Sequence, residues 1–168
     1  SLDPMLNDEN IAASLGASLP LDLDDIIEDT KTQPLKFTPG TDYEYSNFGY
    51  ALIGRVIELT SGQTYEEFVR EHVLCPIGAD EMQQANTRAA DLHSDEVNYT
   101  DPMYRLYPSV MSDDRPYELY PYARYNVENM DAHGAWVATA EELARFVSDF
   151  TTMTTSSLLD FSDVDYMF

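Results

Sequence analysis

Tyr45-Ser46-Asn47 places a phenol and a carboxamide two residues apart, directly before an apolar stretch that begins at Phe48. A phenol titrates near ~10 in water and becomes a useful base or proton shuttle only where cations lower that value. A lysine ammonium beside it would do so. A carboxamide offers both a donor and an acceptor, so it can orient such a lysine and hold a substrate amide. Held at a helix start, the two side chains can face one reacting centre. That suits a serine–lysine acyl-transfer site. The same triplet also reads as an ordinary helix N-cap.

The elements that must hold the triplet are mostly helical. A Pro39-Gly40 turn leads into it, and the spacing predicts a helix over 47–60. Leu52, Ile53, Val56, Ile57 and Leu59 make that helix apolar on most sides, which predicts burial. Ser61-Gly62 ends it. Thr64 with Glu67 three residues on forms a capping box for the next helix. Its inner face is Phe68, Val69 and Val73, and Pro76 is the predicted stop. Upstream, Asn7 or Asp8 can cap a short helix carrying Ile11, Ala12 and Leu15, with Gly16 after it. Asp22 can cap a second, with Asp25 at its third position and Ile26 and Ile27 facing inward. Downstream, Thr139 and Glu142 repeat the capping box before Leu143, Phe146, Val147 and Phe150.

Residues 84–132 break this pattern. Seven tyrosines between Tyr99 and Tyr125 are interleaved with Pro102, Pro108, Pro116 and Pro121, and neither helical nor strand periodicity survives. Loops this long in compact domains are often functional. The tyrosines can line a cleft or stack on sugar rings, or they can simply pack the segment in place with their hydroxyls reaching water. Strand signals are scarce everywhere, so the expected fold is mainly α with long irregular loops and little or no sheet. Residues 1–150 form the expected helical subdomain, and 151–168 an acidic, weakly ordered tail.

Composition narrows the function classes. The 168 residues carry a formal net charge of −22. Nucleic-acid binding needs clustered Lys and Arg, so it is not expected. Two readings of the acidity stay open: a salt-loving source, where counterions screen the self-repulsion, or an ordinary acidic protein. No apolar run of about 18 residues predicts a membrane span. No signal peptide is visible at Ser1-Leu2-Asp3-Pro4, and any export signal would lie upstream. Cys75 stands alone in Val73-Leu74-Cys75-Pro76-Ile77 and reads as a small buried hydrophobe. His72, His93 and His133 lack metal-ligand spacing, so neither a metal nor a cofactor is expected.

The run from Pro34 through Phe37-Thr38-Pro39-Gly40-Thr41 and Tyr45-Ser46-Asn47-Phe48-Gly49-Tyr50 to Glu58 resembles the serine β-lactamase and penicillin-binding-protein superfamily. It is most similar to the class C-type β-lactamase-related esterases and peptidases. The likeness continues through Ser61-Gly62-Gln63-Thr64-Tyr65 and Cys75-Pro76-Ile77-Gly78. At His133-Gly134-Ala135-Trp136 it is similar to the family's glycine loop. The resemblance implies the helical subdomain of the β-lactamase/transpeptidase-like fold, with Tyr45 as general base or proton shuttle. Asn47 would position the lysine and the substrate.

In that family a Ser-x-x-Lys motif supplies the nucleophile and its activating lysine. Neither Lys31 nor Lys36 lies three residues after a serine, and no late Lys-Thr-Gly or His-x-Gly is present. The resemblance therefore implies a fragment of a serine hydrolase of amides or esters, inactive alone. The rival reading is a non-catalytic module that binds peptidoglycan or sugars through its tyrosines. A subdomain without its partner sheet would expose an apolar face, which predicts a homodimer.

Overall fold

The computed structural model describes residues 2–151 and 156–167. It is mainly helical, with two small two-stranded sheets. By its contacts the chain divides into two compact units, Ser1–Ile53 with Ala85–Ala135 and Gly54–Gln84 with Trp136–Phe168. The division falls inside the helix Asn47–Ser61.

The first unit opens with a 3-10 turn, Pro4–Leu6, and helix α1, Asp8–Leu15. Gly16 ends α1 at φ 65, where a β-carbon would be strained. Helix α2, Leu23–Thr30, starts on a reciprocal capping box between Asp22 and Asp25. Met5, Ile11, Ala12, Leu21, Ile26 and Ala51 form the core, with Phe48 packed against it. Ala51 belongs to helix α3, Asn47–Ser61.

The predicted burial of α3 does not hold. Ala51 is fully buried, but Leu52, Ile53, Val56 and Leu59 are exposed, Leu59 by 74%. An apolar composition records what a helix is suited to bury. Among the described residues, nothing covers that face.

The irregular stretch of this unit is held by side-chain bonds to backbone. Asn126 and Asn129 both donate to the Leu21 carbonyl, at 2.8 and 2.9 Å. Arg124 donates to the Leu6 carbonyl at 3.2 Å. The Glu128 carboxylate accepts from both the amide and the hydroxyl of Thr87, which is itself buried. Val110, Met111, Tyr122 and Ala123 supply an apolar interior. Its regular part is an antiparallel pair, Leu106–Pro108 with Tyr117–Leu119, in register Tyr107 to Glu118.

The second unit contains α4, Tyr65–Val69, capped by the Thr64–Glu67 box. Pro76 does not stop this helix. A π-helical turn over Arg70–Leu74 carries the chain into a short helix α5, Cys75–Ile77. Proline lacks an N–H and clashes with the carbonyl four residues back, and the wider turn relieves both demands. One inserted residue turns the following side chains by ~100° about the axis. Leu74 is therefore buried, and Cys75 is exposed rather than packed inside as expected. Leu74, Ala79 and Met82 make this unit's core, with Trp136 against it. Gln83–Gln84 pairs antiparallel with Trp136–Val137. Helix α6, Ala140–Thr151, starts on the Thr139–Glu142 box. Its Phe146 and Phe150 rings meet at 5.0 Å, while Leu143 and Val147 stay exposed. Helix α7 spans Phe161–Met167. No helix among the described residues is long and apolar enough to cross a membrane.

Candidate active site

The first amides of any helix have no partner within it, and α3 must meet that demand at Asn47, Phe48 and Gly49. Ser46 Oγ accepts from Gly49 N at 3.1 Å, a side-chain cap from the middle residue of the triplet. The other two amides turn to a residue 44 positions upstream. Asp3 Oδ2 accepts from Asn47 N at 2.7 Å, and Asp3 Oδ1 from Phe48 N at 3.3 Å. The same carboxylate accepts from Met5 N at 3.1 Å and so caps the first 3-10 turn as well.

This division of labour leaves the flanking side chains for each other. Tyr45 Oη donates to Asn47 Oδ1 at 2.8 Å. The phenol is 68% exposed, with Tyr43 and Tyr50 exposed on either side in sequence. The two predicted site residues are thus brought together. The N-cap reading of the triplet holds: Ser46 caps the helix, and Tyr45 and Asn47 form a polar pair beside the cap.

The cation that a tyrosine base requires is not supplied by either lysine. Lys31 is paired with Glu28 and Lys36 with Glu44. The half-buried His133 lies close enough to Asp3 to feel its charge. Burial pulls the imidazole below its ordinary pKa, and Asp3 opposes that pull. Sequence reasoning missed Asp3. Its only local signal is an aspartate before proline, which marks a turn start and says nothing of a helix 44 residues on.

Solved structures share this arrangement of elements. A penicillin binding protein from Bacillus halodurans superposes with a TM-score of 0.64 at 20% identity, covering 98% of this chain and 46% of that one. A D-stereospecific amidohydrolase from Streptomyces sp. gives 0.61 at 20% identity, covering 88% and 39%. The fold is therefore that of the penicillin-binding-protein and β-lactamase class. The family model for beta-lactamase matches residues 3–163, and the chain belongs to that family. Among curated relatives, lovastatin esterase of Penicillium rubens is 33% identical over 79 residues, 46% of this chain and 20% of that protein. Penicillin-binding protein 4 of Amycolatopsis lactamdurans is 29% identical over 98 residues, 55% and 24%. The chain thus spans less than half the length of each of these proteins.

Proposed function

We propose that this chain supplies one wall of a serine-hydrolase active site, with Tyr45 as proton shuttle and Asn47 as the positioning carboxamide. The observation that carries this is the 2.8 Å bond from the Tyr45 phenol to the Asn47 carboxamide, beside a capped helix start in a β-lactamase-family chain. In the whole protein a serine activated by a lysine attacks an amide or ester carbonyl. Tyr45 passes the serine's proton toward the leaving group, and water then releases the acyl group. The serine and its lysine lie outside these 168 residues, since no Ser-x-x-Lys occurs within them. The isolated chain is inert.

Two assays test this. Purified chain is expected to leave nitrocefin and p-nitrophenyl esters unturned; turnover abolished by Tyr45→Phe would reveal a nucleophile inside the chain. In the protein encoded by the surrounding reading frame, Tyr45→Phe is expected to lower kcat/KM by ~10²- to 10⁴-fold, the usual worth of a positioned proton-transfer group. A drop smaller than about ten-fold removes Tyr45 from that role.

A second reading has its own support in exposed rings. Tyr104 and Tyr117 turn their faces to solvent in the irregular segment, as a sugar- or peptidoglycan-binding surface requires. Saturable binding of muropeptides without hydrolysis, even by the longer protein, would favour it. The reading extends to partners: the uncovered stripe of α3 is a surface through which the isolated chain pairs with itself.

A further inference from the structure

We propose that Asp3 is a positioning residue for the Tyr45–Asn47 pair, acting through the backbone of α3 rather than by touching a substrate. The inference rests on the active-site reading of that pair, but its test does not depend on turnover.

The local chemistry leaves a gap that Asp3 fills. A serine hydroxyl at the cap satisfies one amide, and Ser46 spends it on Gly49. Asn47 N and Phe48 N remain. The Asp3 carboxylate meets both, and its 2.7 Å bond to Asn47 N is the shorter. An ionised acceptor at that distance makes a strong hydrogen bond, and its charge suits the positive end of the helix. Asn47 is thereby held at its own backbone nitrogen. The position of its Cα fixes where the carboxamide can reach.

Tyr45 depends on that placement. Its ring is largely in solvent, and its hydroxyl is tethered by the bond to Asn47 Oδ1. A free Asn47 rotamer would release the phenol. The chain of dependence therefore runs from Asp3 to the Asn47 backbone, from there to the carboxamide, and from the carboxamide to the phenol. His133 feels the same carboxylate, so one charge addresses two of the four segments that carry the family resemblance.

A cap that only stabilises α3 and a residue that positions the pair differ in one measurable respect. With tyrosine and asparagine isotopically labelled, the side-chain amide signals of Asn47 are assigned by Asn47→Ala, and the Tyr45 ring signal by Tyr45→Phe. In the unaltered chain, Tyr45→Phe shifts the Asn47 amide signals because the phenol is their neighbour. In Asp3→Ala that shift is expected to fall by more than half while the helical circular dichroism persists. Asp3→Asn, which keeps one acceptor oxygen, is expected to restore part of it. An undiminished shift in folded Asp3→Ala overturns the proposal and leaves Asp3 a structural cap. Should Asp3→Ala not fold in buffer alone, the same comparison is made in that variant with a stabilising osmolyte added, and an undiminished shift there overturns the proposal equally. An inert longer protein would sink the hydrolase reading without moving these signals.

Discussion

The turn that carries Tyr45 and Asn47 and the segment from 85 to 132 share one unit, yet they spend their side chains in opposite ways. The turn leads into a regular helix whose amides are capped and whose apolar residues Leu52 and Ile53 face solvent. The segment has almost no regular structure, but it buries Val110, Met111, Tyr122 and Ala123 and closes its polar groups on Leu6, Leu21 and Thr87. Regularity is not what finishes a surface. The helix is locally complete and leaves its outer face uncovered, while the irregular segment is completed by its own long-range bonds.

The largest expected effect probes where the segment meets α1. Asp8 is 1% exposed, and neither of its carboxylate oxygens has a hydrogen-bond partner on another residue. Burial lifts its pKa to about 6 from 3.8, against the opposing pull of its own backbone N–H and, less, of Arg124 from the segment, with a small push from Glu9. The folded state holds this proton more tightly than the unfolded chain does. The stability it contributes is complete below pH 3.8 and is lost as pH rises through about 6. The difference amounts to about 3 kcal/mol. Asp8→Asn is expected to be more stable than the unaltered chain at pH 7 by up to that amount, and equal to it near pH 3.5. Urea unfolding at the two pH values checks this. Equal stabilities at pH 7 would mean that Arg124 already neutralises Asp8.

A middle-sized effect tests whether the segment's bonds to buried groups hold it. Glu128→Ala strips the acceptor from two donors of a buried threonine, and Thr87 Oγ1 also accepts from Val127 N at 2.8 Å. Leaving such donors unmet costs about 2 kcal/mol. Denaturant melts are expected to show that loss. A change under about 0.5 kcal/mol, typical of an ordinary surface site, would place the segment's order in its apolar interior alone.

What could be read from the sequence follows the range of the interaction. The capping boxes at Thr64 and Thr139 and the cap at Asp22 are legible because both partners sit within one turn. The spacing of Tyr45 and Asn47 brings a phenol and a carboxamide within reach of each other, and their side chains do meet. Asp3 was illegible because no periodicity links it to Asn47. The π-helical turn before Pro76 was also illegible, since a proline reads as a stop until packing shows that the chain continues. The exposure of α3 was misread for a related reason: counting apolar residues says nothing of what lies against them. The three-residue strands at Leu106 and Tyr117 are too short for alternation to show.

The smallest effect on stability sharpens the other half of the comparison. Leu52, Val56 and Leu59 fall at helical spacing of four and three, so they form one stripe along α3. If the stripe is uncovered in the isolated chain, Val56→Ser with Leu59→Ser removes no packing, and each change shifts the melting free energy by less than ~0.5 kcal/mol. The effect should instead be on association. The net charge of −22 opposes pairing, and salt screens it beyond ~10 Å at 0.1 M. Light scattering of the unaltered chain is therefore expected to show a mass that rises with protein concentration, more steeply in salt. The double variant should stay monomeric in both conditions. A clean monomer for the unaltered chain at high concentration and high salt would mean that a second copy does not cover the stripe. A loss of several kcal/mol in the double variant would instead show the stripe already packed within one chain.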